Sequence, residues 1–198
     1  MNIHSKNIYR GNEIKTKTPI LKAEFSIMGS ESNLWFNTMF TKSLSKNKFN
    51  EFKLMLGYTK FINEKNTLEM RTIFSQYPDM SFDSNHNLYL KYSYGIKVPI
   101  SFDTDYNFEN NSLYSSVKST MYFDIYTPWI IESSIGYNFT SYNQFDISYS
   151  SGFADFNTTL LTYIGLGRIN IEPAISVIYQ FEKQNTEILF SLYFDYIF

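Results

Sequence analysis

The sequence contains no cysteine, so neither a disulfide scaffold nor a thiolate metal centre is open to it. It has only two histidines, His4 and His86, which leaves little material for histidine-based catalysis. No stretch approaches the ~18 consecutive apolar residues of a membrane helix, so any crossing of a bilayer falls to strands. The first residues, MNIHSKNIYRG, lack the apolar core of a signal peptide; an exported protein would be represented here by its mature form with a start methionine. Glycine-rich phosphate loops are missing, and Gly165-Leu166-Gly167 reads most simply as a turn. There is no basic surplus either: the formal net charge is −2, which gives no reason to expect nucleic acid as a partner. No run of Pro, Ser or like charge divides the 198 residues, and residues 1–198 are taken as one domain.

What the chain has in quantity is aromatic side chains. They make up 19% of the residues, yet hydrophobics are only 43% and the mean hydropathy is −0.27. Alternation of apolar and polar positions along strands produces that combination, because each apolar residue on one face is balanced by a polar one on the other. The end of the chain shows it plainly. Ile188, Phe190, Leu192, Phe194, Tyr196 and Phe198 lie on one face, and Glu187, Leu189, Ser191, Tyr193, Asp195 and Ile197 on the other.

The same period of two recurs from end to end, and helical spacing nowhere persists. Further apolar faces run through Leu21, Ala23, Phe25 and Ile27; Phe52, Leu54, Leu56 and Tyr58; Leu88, Leu90, Tyr92 and Tyr94; and Ile169, Ile171, Ile175, Val177, Tyr179 and Phe181. This predicts about twelve strands of roughly 9–14 residues, long enough to cross a bilayer when tilted. The connections alternate in length. Gly11 to Pro19, Gln76 to Asn85 and Thr140 to Ala154 are long and follow odd-numbered strands, whereas Gly29 to Asn33, Ile62 to Asn66, Gly95 to Lys97, Ile125 to Thr127 and Gly165 to Arg168 are short. A soluble sandwich has no reason to sort its loops by parity, but an up-and-down barrel of the outer membrane does. The expected fold is therefore all-β: a transmembrane antiparallel up-and-down barrel, with the apolar face toward lipid.

Two stretches carry resemblances. The terminal Phe194, Tyr196 and Phe198, aromatics at alternate positions up to the last residue, resemble the insertion signal of Gram-negative outer-membrane proteins read by the barrel-assembly machinery. The opening SKNIYRG, Ser5 to Gly11, resembles the first strand of the TorF-type porin family, where a lysine and an aromatic-Arg-Gly end the strand. The likeness extends loosely over the whole chain, including the strand of Trp35 and the last one. It implies a small outer-membrane barrel acting as a channel, and it supplies no substrate.

If the apolar faces look outward, the charges look inward. The expected pore-lining residues are Lys22, Glu24, Glu51, Lys53, Glu69, Arg71, Lys91, Asp103, Asp105, Lys118, Glu132, Glu172, Glu187 and Asp195. A charge facing lipid near the midplane costs about 2–4 kcal/mol, so their assignment to one side argues for a polar interior. They serve either a conducting pore or a salt-bridged plug of side chains. Bases fall largely in the first two-thirds, which predicts weak cation selectivity, with Glu132 and Glu172 as the least compensated carboxylates. Lys6 and Arg10 are placed to neutralise Asp195 or Glu187 after closure.

Other chemistry is thinly supported. His86 beside Asp83 and Ser84 invites comparison with outer-membrane lipases and deacylases, but Ser84 and His86, two apart on a strand, lie ~7 Å apart at Cα and do not pair naturally. Asp79, Asp83 and Asp146 have no calcium-loop spacing. Lys42, Lys46 and Lys48 are either a solvated loop or a contact for lipopolysaccharide phosphates. The expectation is a monomeric channel for passive diffusion of ions and small hydrophilic solutes, without cofactor or metal, whose partners are outer-membrane lipids, lipopolysaccharide and, during insertion, the assembly machinery. A non-conducting structural or adhesive barrel and a lipid-modifying enzyme remain the alternatives.

Overall fold

In a computed structural model, the structure describes residues 2–4, 8–9, 12–13, 20–29, 33–44, 50–77, 84–95, 98–125, 127–144 and 147–196. All regular elements among them are strands. Twelve build a ring: β1 (Asn2–His4), β2 (Ile20–Met28), β3 (Leu34–Ser43), β4 (Asn50–Asn63), β5 (Asn66–Gln76), β6 (Asn85–Tyr94), β7 (Ile100–Asn107), β8 (Ser112–Ile125), β9 (Thr127–Asn138), β10 (Gly152–Thr162), β11 (Ile169–Gln180) and β12 (Asn185–Tyr196). Every strand pairs antiparallel with its neighbour in sequence, and β12 returns to β1 through Tyr193↔Asn2, Leu192↔Ile3 and Ser191↔His4. The described pairings run round a full cycle, joined at β1 through three residue pairs to β12 and three to β2.

Short connections collect at one end: 29–33, 64–65, 95–99, residue 126 and 163–168. The three longest, 5–19, 77–84 and 139–151, share the other. The stretch expected as a loop from Thr140 to Ala154 ends earlier than the sequence implied, because Gly152, at φ 133°, already opens β10. Only glycine takes that conformation without strain. Asparagines organise several turns: Asn63 Oδ1 accepts from the N–H groups of Lys65 and Asn66, and Asn107 Oδ1 from those of Glu109 and Asn110.

The amphipathicity is the reverse of that of a soluble domain. Buried positions are mostly polar, with Thr41 and Ser112 fully enclosed and Asn107 only 1% exposed, whereas Phe25 and Phe190 are 60% exposed. Aromatic rings gather on the outer face near the long connections, in the contacts Tyr106–Phe108, Tyr137–Phe139, Tyr137–Phe153, Phe153–Phe181 and Tyr179–Phe181. Such a belt suits the boundary between hydrocarbon and water.

Candidate functional site

The candidate site is the polar interior. Register connects its members strand by strand. Lys22 faces Thr41, and Thr41 faces Glu51; Glu24 faces Met39, and Met39 faces Lys53. A second row runs Glu69–Lys91–Asp103–Ser116–Gly136–Asp155. Arg71 faces Tyr89, Lys118 faces Ser101 and Ser134, Glu132 faces Thr120, Glu172 faces Tyr193 and Glu187 faces Ile178. Because side chains alternate, all these positions share one face, as does the backbone position of Asp195 opposite Asn170. The side chains of Asp195 and Tyr196, together with His4, Lys6, Arg10, Lys46, Lys48, Asp79, Asp83, Asp146 and Phe198, lie outside the described residues.

That this face is concave follows from contacts that skip a strand. The Tyr114 hydroxyl on β8 donates to Asp155 Oδ2 on β10 at 3.2 Å, passing over Gly136 on β9. Strands two apart are separated by roughly 10 Å, and an inward curve shortens the span that a tyrosine and an aspartate have to bridge. Between the neighbouring strands β3 and β4, Trp35 lies over Gly57 on the same face, its Nε1 donating to Thr59 Oγ1 at 3.1 Å.

Ion pairs stand on the inner wall among the described residues, among them Lys53–Glu51 at 3.0 Å, Arg71–Glu69 at 3.4 Å and Lys118–Glu132 at 2.7 Å. The last corrects the sequence expectation that Glu132 is among the least compensated carboxylates: the antiparallel register of β8 and β9 brings Lys118 within reach, which spacing along one strand cannot reveal. Glu24 takes the amide of Asn37 as its donor. The Arg71 guanidinium also stacks 3.8 Å from the centre of the Tyr89 ring, and the Tyr89 hydroxyl donates to Asp103 Oδ1 at 2.8 Å. Asn87 donates to Asp105 Oδ1 at 2.8 Å. Tyr193 on β12 lies within electrostatic range of both Glu132 and Glu172.

Asp155, 5% exposed, and the inner aromatics Trp35, Tyr89 and Tyr114 belong to this wall beyond the residues expected from the sequence, together with Tyr193, which the terminal alternation already placed on the inner face. Asp155 was legible in principle, being out of phase with Phe156 and Leu160. At the mouth with the long connections, Tyr142–Gln144 pairs with Ile147–Tyr149 as a small hairpin. Its Tyr142 and Tyr149 rings stack at 4.6 Å and both are buried. The hairpin is tied down by Ser150, whose hydroxyl donates to Glu182 Oε1 at 2.6 Å and whose carbonyl accepts from Asn138.

No family model matches the chain, and neither does any curated protein. Solved structures do. A KdgM porin superposes with a TM-score of 0.64 at 10% identity, covering 100% of this chain and 99% of that one. The fold is that of a small porin. A KdgM porin in complex with disordered oligogalacturonate gives 0.64 at 9% identity, covering 100% of this chain and 95% of that chain. A NanC porin gives 0.63 at 11%, covering 91% and 93%.

Proposed function

We propose that the chain, as a single barrel spanning residues 1–198, is a monomeric outer-membrane channel for passive diffusion of ions and small hydrophilic solutes. The observation that carries this reading is the closed ring with its apolar residues outside and its charged residues inside, an arrangement suited to lipid around a wet lumen. Kinship with TorF-type porins rests on Ser5 to Gly11, in a stretch mostly outside the described residues, and belongs to the same proposal. The KdgM ligand named above is a polyanion; here carboxylates outnumber bases on the inner face among the described residues, so small cations and uncharged solutes are the better candidates.

The second reading, a non-conducting barrel, draws on the ion pairs of the wall and on the buried tyrosines of the mouth hairpin. Planar-bilayer recording separates the two. Discrete conductance steps are expected from protein whose electrophoretic mobility shifts on heating; sealed bilayers with the same heat-shifting protein would favour the closed barrel. Protein that is monodisperse without detergent would sink the membrane reading altogether.

A further inference from the structure

Where β9, β10 and β11 approach the long connections, the inner wall carries a patch of buried side-chain oxygens. Asp155 stands at its centre. On one side it faces Gln180 directly, and on the other it faces Gly136, which makes Asn138, two residues further along β9, its diagonal neighbour. Asn157 follows two residues on along β10, on the same face. Directly opposed residues stand about 5 Å apart at Cβ and diagonal ones about 7–8 Å, so the four side chains reach a common space. Asn138, Asp155 and Gln180 are 2%, 5% and 3% exposed. Asn138 Oδ1, Asn157 Oδ1 and Gln180 Oε1 are buried without a hydrogen-bond partner among the described residues. The Asn138 amide is oriented by its Nδ2, which donates to the Ser150 carbonyl at 3.4 Å. At the edge of the patch the Tyr114 hydroxyl donates to Asp155 Oδ2.

We propose that this patch binds a calcium ion, with the Asp155 carboxylate and the amide oxygens of Asn138, Asn157 and Gln180 as its protein ligands. A buried carbonyl oxygen without a donor is costly. One water has two protons and serves two of these acceptors at most, whereas a cation attracts every oxygen around it. The ligand set is all oxygen, which suits a hard cation rather than a transition metal. Side chains fixed on three strands are spaced by the sheet and not by an octahedron; calcium, with ligands at about 2.3–2.6 Å in flexible geometry, tolerates this better than magnesium. A single carboxylate implies low affinity, in the range of about 10⁻⁴–10⁻³ M that serves extracellular calcium modules. Asn138 would then hold the ion through Oδ1 and the mouth hairpin through Nδ2, so that the ion braces the hairpin against the wall. The site needs the ring of strands but not a conducting lumen.

The test uses terbium, a luminescent stand-in for calcium, added to the full chain in detergent and excited through tyrosine. Tyr114, bonded to Asp155, is the antenna, so emission is expected on adding terbium, and calcium at millimolar concentration should displace it. Gln180→Met keeps the charge and the bulk but removes one ligand, and should weaken terbium binding about tenfold or more. Asp155→Asn should weaken it further. Glu64→Gln removes a charge from the turn between β4 and β5, at the opposite end of the barrel, and should leave binding unchanged. No emission, emission that calcium does not displace, or emission undiminished in Gln180→Met overturns the proposal, the last two by showing adventitious binding at other carboxylates. Heat-shifted mobility of every sample keeps these outcomes distinct from failure of the barrel; if Asp155→Asn does not fold, Gln180→Met decides alone.

Discussion

Valine in place of Gly136 is expected to leave most of the protein without heat-shifted mobility. A Cβ at this position would stand 2.1 Å from the Tyr114 hydroxyl oxygen and 2.6 Å from its Cζ, far inside contact distance. Tyr114 must then swing away, taking its hydrogen bond from Asp155, a carboxylate only 5% exposed. Overpacking costs about 1–3 kcal/mol. Losing a hydrogen bond to a charged group costs about 1.5–3 kcal/mol more. Against a total stability of about 5–15 kcal/mol, the sum is a large fraction. Gly57→Val should act alike, since its Cβ would lie 2.2 Å from Trp35 Cζ2. Gly165→Ala is the control: the nearest atom to its Cβ, Asn170 Oδ1, is 3.7 Å away, an ordinary contact. Urea midpoints should fall in the first two variants and hold in the third. Combining Gly136→Val with Tyr114→Ala should restore much of the loss, because the ring that collides is gone; no restoration would mean that the crowding lies elsewhere.

The second large effect is on ion preference. At low salt a reversal potential favouring cations is expected, fading near 1 M, where the Debye length falls to about 3 Å. Two sets of carboxylates contribute differently. Glu132 is held by Lys118 at 2.7 Å, so replacing both members with Lys118→Met and Glu132→Gln removes no net charge and should leave the reversal potential nearly unchanged. Asp103 and Asp105 stand on β7 and Asp155 on β10, and hydrogen bonds from Tyr89, Asn87 and Tyr114 orient them through neutral donors. Asp103→Asn with Asp105→Asn should therefore lower cation preference clearly. Replacing Glu132 and Glu172 together with Gln also removes two negative charges and should lower it too. Anion preference in the unmodified protein would show the balance to be wrong, and indifference to the aspartate pair would place those side chains off the conducting path.

Local pattern was enough to specify strands, their faces and the sorting of their connections. In a strand the side-chain period is two whatever the neighbours are, so Phe25, Leu56 and Phe190 declare themselves outward once one face of the chain is known to be apolar. The same period implied about twelve strands, whereas the joining of β12 to β1 that closes the ring comes from the tertiary pairing. What the sequence could not specify was who meets whom across the wall. Lys118 meeting Glu132, Tyr114 reaching Asp155 over Gly136, and His86 turning to Thr72 rather than Ser84 are all contacts between strands. They depend on register and on the curvature of the ring, both set by pairing over the whole cycle, and so no window of neighbouring residues contains them.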